Sequence, residues 1–320
     1  NFPVIKYIVS YMEENCSNKQ ISFSIVSNLT LLTDEMIVFL RDHHILVSTS
    51  IDGPQNVHDK NRPYINGSGS FTDVINSVKK LREAELQVGA IQTTTKTSLH
   101  QAKEIINAYV NLGFNNIFIR SLTPLGYAKQ NWEDVGYTCE EFLTFYKECF
   151  NYILELNLNN IRIRENHAGI FLSKILKGFA SNYMELRSPC GASTGQVAYY
   201  YDGNIFTCDE GRMLHEMGES SFRLGNVFEN TYDDLMNSPV CKAVCSASVL
   251  ESLPTCCDCV YQPYCGVCPV VNYAINQDMV SKGNDSYRCK IYMGILDTIF
   301  KTLQKNNRNE IEVLRGWAQK

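Results

Sequence analysis

Apolar positions along the first 120 residues switch between two periods. Residues at helical spacing, such as Val4, Ile8 and Tyr11, alternate with short apolar runs that are typical of buried strands. The runs predict four strands, at 21–28, 45–52, 88–95 and 116–121, with helices between them. Such alternation produces parallel β-α-β units with helices packed on the sheet. Because four strands are few for a barrel and a helix comes first, we expect the parent protein to carry further strands before Asn1.

The helices carry their own signals. Ser70 and Asp73 are expected to cap a helix that continues to about residue 81. A capping-box pattern at Thr138 and Glu141 predicts a long helix, and Cys149 falls on its apolar face. We therefore predict that Cys149 is a core thiol, and we expect the same of Cys139 and Cys16, which have no thiol at ligand spacing.

Composition and charge exclude several classes of protein. The chain has 320 residues, of which 44% are apolar and 20% charged, and its formal net charge is −5. An acidic balance argues against nucleic acid or an anionic membrane surface as the main partner. Neither a signal peptide nor an apolar run long enough to cross a membrane is present. We expect a cytoplasmic protein that binds neither nucleic acid nor membrane.

The cysteines are concentrated in the second half. Three of the 13 precede residue 190, and the other ten lie between Cys190 and Cys289. An odd number without an export signal argues against a disulfide framework. The spacing C-x2-C-x5-C-x2-C, which begins at Cys256, strongly indicates metal binding, with disulfides as the weaker alternative.

Two further cysteines flank a predicted hairpin. The segment QVAYYYDGNIFT is predicted to turn at Asp202-Gly203, which brings Cys190 and Cys208 together. Together with the C-x2-C-x5-C-x2-C segment and Cys289 this makes seven candidate ligands. Zinc and iron–sulfur clusters both accept thiolates, but seven exceed the needs of one four-coordinate zinc ion.

Polar residues follow the predicted strands. They occupy the carboxyl ends, where parallel α/β folds bind ligands: Asn28, Thr30, Ser50, Asp52, Thr93 to Thr95, Arg120 and Ser121. These residue types either grip a polar cofactor or simply cap and turn the chain. Spacing alone leaves both interpretations open.

The cysteine pattern from Cys190 through Gly203 to Cys289 resembles the seven-cysteine SPASM domain of radical SAM maturases. Three segments of the first half also resemble this family: SNLTLL (27–32), SIDGP with the following HD and R, and GSFTDVINSVKKL (69–81). The chain is most similar to the anaerobic sulfatase maturases and, within the family, to the maturase of the His-Xaa-Ser peptide system. The resemblance implies an α/β chain: an incomplete parallel (β/α) radical SAM barrel followed by a C-terminal cysteine-rich SPASM domain. It divides the chain into 1–125 (partial barrel), 126–185 (bridging helices), 186–300 (SPASM domain) and 301–320 (C-terminal helix).

The chain departs from the family pattern in two places. The C-x3-C-x2-C motif of the catalytic cluster and the GGE motif that binds S-adenosylmethionine (SAM) do not occur in the sequence. Cys241 and Cys245 begin a similar motif, but its third position is Ser248. We therefore expect an N-terminally truncated polypeptide. The family's final C-x5-C-x3-C spacing is also one residue shorter here.

By resemblance, the full-length parent cleaves SAM at a third [4Fe-4S] cluster and abstracts hydrogen from a side chain of a ribosomally made peptide or protein. Two auxiliary [4Fe-4S] clusters then accept electrons or hold the substrate, and a flavodoxin or ferredoxin supplies electrons. Ser50 matches a position that approaches SAM, and Asp209 matches a catalytic base. This chain alone is expected to be inactive. The alternative is a non-catalytic zinc-binding protein that either binds peptides or serves as a scaffold.

The resemblance also divides the thiols between the clusters. It assigns Cys256, Cys259, Cys265 and Cys289 to one cluster, and Cys190, Cys208 and Cys268 to the other. Sulfatase maturases supply the missing ligand from a cysteine shortly before the first SPASM cysteine, but residues 184–189 contain none. The second cluster therefore has either an open iron or a substitute ligand, for which Cys241, Cys245 and Cys257 are the candidates.

Overall fold

A computed structural model describes residues 1–179, 183–280 and 286–318 of the chain. The chain divides into two compact units, Asn1–Arg120 and Ser121–Lys320. Every helix in the described part is too short or too polar to cross a membrane.

The first unit is built on four parallel strands that pair in chain order. The strands are β1 (Ser24–Val26), β2 (Leu46–Ser50), β3 (Val88–Thr93) and β4 (Asn116–Arg120). The helices are α1 (Phe2–Asn15), α2 (Asp34–Asp42), α3 (Gln55–Asn61), α4 (Phe71–Glu83) and α5 (Ala102–Asn111), with a 3-10 turn at Lys96–Ser98. The predicted parallel α/β architecture is therefore confirmed.

The two faces of this sheet differ in exposure. Along β2 the side chains of Val47 and Thr49 are buried, whereas those of Ser48 and Ser50 on the opposite face are half-buried. The same alternation continues in β4, where Ile117 and Ile119 are buried. Alternate residues of a strand point to opposite faces, so one face of the sheet is buried and the other is half-buried.

Helices α3 and α4 correct the sequence interpretation. The dipeptide Gly53-Pro54 is typical of a loop, but the segment that follows it contains α3. Ser70 stands at the N-cap of α4, but its hydroxyl donates to the carbonyl of Arg62 (2.7 Å) and makes no cap hydrogen bond. The carboxylate of Asp59 accepts from the amide of Phe71 instead, at 2.8 Å. The cap therefore comes from a neighbouring helix, and adjacent residues do not reveal it.

Helix α1 and strand β1 have exposed apolar side chains. The predicted apolar positions Val4, Ile8 and Tyr11 are 46%, 50% and 50% exposed, and only Val9 of α1 is buried. Strand β1 lies at the end of the strand order, and its Val26 is 70% exposed. This edge of the first unit is apolar.

The second unit combines helices with a small antiparallel sheet. The sheet consists of β6 (Ala198–Tyr199), β7 (Asn204–Phe206) and β8 (Arg223–Asn226), and the two-residue strand β5 (Arg164–Glu165) lies outside it. The helices are α6 (Tyr127–Gln130), α7 (Trp132–Val135), α8 (Cys139–Leu158), α9 (Asn166–Lys177), α10 (Asp209–Glu216), α11 (Tyr232–Asn237), α12 (Pro239–Ser246), α13 (Pro269–Asn276), α14 (Tyr287–Gln304) and α15 (Arg308–Trp317), with 3-10 turns at Met184–Leu186 and Leu250–Ser252.

Three local predictions are confirmed in the second unit. Strands β6 and β7 form the antiparallel hairpin, and Gly203 occupies its turn with φ +86°. The capping box of α8 is present, because Thr138 and Glu141 each accept a hydrogen bond from the other's amide. Cys149 lies fully buried on α8, as predicted, in a helix that packs against α14 and α15.

Candidate functional site

Cys190, Cys208 and Cys268, which we call the core thiol group, come together in one buried cluster of the second unit. Their side chains pack with Ala192 and Val244 among others, and each cysteine is 5% exposed or less. Cys208 and Cys268 lie close enough for their charges to interact, as do Cys268 and Cys190. The β6–β7 hairpin, which separates Cys190 from Cys208 along the chain, makes this convergence possible.

Cys256, Cys259, Cys265 and Cys289, which we call the cavity thiol group, line a single cavity. The charge of Cys265 interacts with those of the other three. Three of these cysteines lie in loops and turns, whereas Cys289 is in the first turn of α14. The segment that contains C-x2-C-x5-C-x2-C and the start of α14 therefore build one pocket from residues distant in sequence.

The two thiol groups are joined by Gly266 and Val267, which separate Cys265 from Cys268. Cys268 also lines the cavity of the cavity thiol group. A Cβ atom on Gly266 would collide with the backbone at residues 185–186 and lie 2.7 Å from the Cα of Leu186. The backbones approach so closely that only glycine fits at this position.

Thiolates can bind either a single metal ion or an iron–sulfur cluster. Within the ranges that the structure describes, no three His, Cys, Asp or Glu side chains converge closely enough to hold one metal ion. Around a single zinc ion all thiolates lie about 2.3 Å from one centre. In a four-iron cluster the thiolates bind different irons and stand further apart. Soft thiolate donors around a common space are therefore compatible with iron–sulfur clusters.

Burial keeps these thiols protonated until metal binds. It raises the pKa of Cys265 to about 12, with a further contribution from the neighbouring thiol charges. Burial also raises the pKa of Cys268 to about 12, an effect that the nearby Arg288 charge opposes. For Cys289 burial and the charges of Cys256 and Cys259 raise the pKa to about 11. Because metals bind the thiolate, loading must release these protons.

Helix α12 approaches the core thiol group. The hydroxyl of Ser248 accepts a hydrogen bond from the Cys190 amide at 3.0 Å, and Val244 packs among the three thiols. Cys245, which is adjacent to Val244, interacts electrostatically with Cys241 and with Cys190. Of the three candidate substitute ligands, Cys257 is exposed. Cys245 is thus the candidate whose charge interacts with a core thiol.

Ser193 is a residue that the sequence interpretation overlooked. Its backbone has φ +67°. Its amide donates a hydrogen bond at 2.7 Å to the carbonyl of Thr207, the residue directly before Cys208. The side chain is 3% exposed, and its hydroxyl has no hydrogen-bond partner in the described part of the chain. Its backbone bond to Thr207 places this buried hydroxyl near the start of α10, as a further polar group close to the core thiol group in the chain.

Asp209 begins α10, directly after Cys208. Its carboxylate pairs with Arg212 at 2.9 Å and is 67% exposed. The charge of the next residue, Glu210, interacts instead with Cys190, Cys208 and Cys268. Helical spacing could have revealed Glu210, because it precedes the buried Leu214 by four residues and so shares its face of α10.

The strand ends of the first unit hold a polar network around Asp52. Its carboxylate, only 1% exposed, accepts hydrogen bonds from Arg62 Nε (2.9 Å), Asn61 Nδ2 (3.2 Å) and the Thr93 amide (3.2 Å). His58 lies nearby, and its Nε2 contacts the Ser70 hydroxyl at 3.2 Å. The DGP…HD…R residues therefore hold the loop after β2 together.

Ser50 is the last residue of β2 and lies on the half-buried face of the sheet. Its register partner is Ile91 in β3. This position leaves the side chain accessible at the carboxyl end of the strand, where parallel α/β folds bind ligands.

Comparison with known proteins identifies relatives of this chain. The chain is 23% identical over 266 residues to the cysteine-type anaerobic sulfatase-maturating enzyme of Clostridium novyi, covering 82% of this chain and 66% of that enzyme. It is 22% identical over 303 residues to the serine-type anaerobic sulfatase-maturating enzyme of Bacteroides thetaiotaomicron, covering 90% and 70%. The chain is a homologue of the anaerobic sulfatase-maturating enzymes, which are radical SAM/SPASM proteins. No protein-family model matches the chain.

Solved structures with a similar fold come from the same kinds of protein. The native sulfatase maturase anSMEcpe with bound AdoMet matches with a TM-score of 0.80 at 20% identity, covering 99% of this chain and 82% of that one. SuiB of Streptococcus suis, bound to its precursor peptide SuiA, matches with a TM-score of 0.55 at 15% identity, covering 81% and 57%. The chain spans 66% of the Clostridium novyi enzyme and 58% of a Clostridium perfringens relative.

Proposed function

We propose that this chain is part of a radical SAM/SPASM maturase that modifies side chains of a ribosomally made peptide or protein by hydrogen abstraction. The observation that carries the proposal is the gathering of seven cysteines into the core and cavity thiol groups, in a homologue of the sulfatase maturases. Structures of anSMEcpe and SuiB with bound peptides support a peptide substrate.

The two thiol groups would hold two auxiliary [4Fe-4S] clusters. Bound clusters supply one-electron transfer. The cavity thiol group offers four thiols and the core thiol group three, so the core site needs a ligand from elsewhere or keeps an open iron. A flavodoxin or ferredoxin is the proposed electron donor.

Asp209 and Ser50 keep their proposed roles. The exposed Asp209 carboxylate follows a core thiol, so it can accept a proton from a substrate that reaches this end of α10. Arg212 would orient the carboxylate by its 2.9 Å hydrogen bond. Ser50, on the half-buried face of the sheet, would contact SAM through its hydroxyl.

Metal analysis tests the proposal. The chain, purified anaerobically and reconstituted with iron and sulfide, should contain roughly eight irons and eight acid-labile sulfides, as two four-iron clusters require. Cys149→Ala is the matched control, since this buried thiol is in neither thiol group and its loss should leave the iron content unchanged. Zinc without labile sulfide would reject the proposal in favour of a zinc-binding scaffold.

SAM cleavage tests the role of the chain on its own. We propose that these 320 residues, fully loaded with iron and sulfide, do not release 5′-deoxyadenosine from SAM under reduction, because the sequence contains no C-x3-C-x2-C motif. Chromatography of the products before and after dithionite addition measures this. Reductant-dependent release of 5′-deoxyadenosine would contradict it.

A further inference from the structure

Arg288 places a positive charge between the core and cavity thiol groups. It precedes Cys289 in the first turn of α14 and is only 8% exposed. Its side chain lines the same cavity as the cavity thiols. Its charge also interacts with those of Cys190 and Cys268 in the core thiol group. One guanidinium therefore lines the cavity of one thiol group and interacts electrostatically with the other.

The partners of Arg288 compensate only part of its burial. Nη1 lies 3.1 Å from Oε2 of Glu185, which also accepts a hydrogen bond from the Tyr292 hydroxyl at 2.8 Å. This contact is an ion pair without hydrogen-bond geometry, so Nη1 has no hydrogen-bond partner within the described ranges. Burying a guanidinium with an unused donor is costly, so an acceptor at the thiol site would complete its contacts.

Sulfur atoms of a cluster are suitable acceptors. Hydrogen bonds to the sulfurs and the net charge around a cluster are two of the factors that set its reduction potential. A reduced cluster carries one more negative charge, so a nearby cation stabilises the reduced state and raises the potential. Burial matters here, because solvent screens an exposed charge far more strongly than a buried one.

We propose that Arg288 donates hydrogen bonds to iron–sulfur clusters at these thiols and raises their reduction potentials, while Glu185 orients the guanidinium and moderates its charge. The inference rests on the proposed function, since it requires that the thiols hold clusters. It adds a residue that tunes electron uptake.

Four variants of the full chain separate charge from structure. Arg288→Met removes the buried cation, Glu185→Gln removes its counter-charge, and the double variant removes both. Lys290→Met is the matched control, because it removes an equal charge two residues away, at an exposed position of α14 where solvent screens its interaction with Cys289. Iron and sulfide are counted first, and midpoint potentials are then measured by redox titration followed by electron paramagnetic resonance.

The expected shifts have opposite signs. Arg288→Met should lower the midpoint potential of at least one cluster. The one-electron equilibrium constant for its reduction should fall tenfold or more, which corresponds to 59 mV per tenfold. Glu185→Gln should raise it, the double variant should lie between the two, and Lys290→Met should change it less than threefold. A role limited to holding α14 in place would not produce shifts of opposite sign.

Several results overturn the inference while leaving the proposed function intact. They are full iron content with an unchanged potential in Arg288→Met, a shift of the same sign in Glu185→Gln, or an equal shift in Lys290→Met. If Arg288→Met does not fold, Glu185→Gln decides alone, and no rise in potential refutes the inference. Zinc in the unmodified chain refutes the proposed function instead.

Discussion

Replacing Asp52 by Ala should destabilise the first unit by about 3 kcal/mol. Removing one partner of a buried, hydrogen-bonded ion pair costs about 3–5 kcal/mol, because the other charge loses its compensation. Here the remaining charge is Arg62, whose side chain is 36% exposed and can turn towards water, so the lower end applies. Arg62→Met leaves the Asp52 carboxylate, 1% exposed, without its cation and should cost closer to about 5 kcal/mol.

Hydrogen exchange offers a local assay. The Thr93 amide donates to the Asp52 carboxylate at 3.2 Å, so Asp52→Ala removes its acceptor. A loss of about 3 kcal/mol corresponds to exchange that is faster on the order of a hundredfold. Mass spectrometry of peptides containing Thr93 measures this rate, and urea unfolding followed by circular dichroism gives the stability.

Arg41→Met is the control, because the Arg41–Asp42 pair in the same unit is exposed, at 51% and 54%. Its removal should change the free energy of unfolding by less than about 1 kcal/mol. The reasoning is refuted if Asp52→Ala costs no more than this control, or if Arg62→Met is milder than Asp52→Ala.

Three further predictions concern the thiols and the sheet edge. Replacing Cys241 and Cys245 by Ala, singly and together, should leave roughly eight irons per chain if the core site has an open iron; loss of about half the iron in one variant would identify a ligand. Burial and the charge of Glu165 hold the pKa of Cys149 well above its ordinary value of 9.0. The unfolded chain loses this proton first, so stability should fall as the pH rises above 9.0, and Cys149→Ala should reduce that fall in urea unfolding. Val26, 70% exposed on strand β1, should promote concentration-dependent association in sedimentation, and Val26→Lys should weaken it; equal association of both chains would contradict this.

Sequence reasoning succeeded where a signal lies within a few residues. The strands of the first unit follow from apolar runs, the capping box of α8 from Thr138 and Glu141, and the hairpin turn from Gly203. It failed where a residue's contact partner is distant in sequence. The cap that Asp59 provides for α4 and the Arg288–Glu185 ion pair each join residues of different elements. No local sequence pattern indicates either contact.

The site was anticipated in its residues more than in its electrostatics. The cysteine spacing located the thiols because short C-x2-C steps tie ligands to one place in the chain. Glu210, Ser193 and Arg288 were missed, because a charged or hydroxyl residue beside a cysteine is common on protein surfaces. Ser193 and Arg288 are buried, and the half-buried Glu210 interacts with the core thiols through its charge, and only the fold reveals these properties.

Gly266 has a consequence for how the chain acquires iron. Only two residues connect Cys265 to Cys268, and the backbone of residues 185–186 packs directly against the first of them. A cluster bound at one thiol group therefore fixes one end of this two-residue connector, and with it the position of the first ligand of the other thiol group. This coupling favours chains in which both sites are filled or both are empty. In a titration with limiting iron, native mass spectrometry should show empty and doubly filled chains, with few half-filled ones. Gly266→Ala, which pushes the backbones apart, should make half-filled chains abundant; a half-filled majority in the unmodified chain would show that the sites assemble independently.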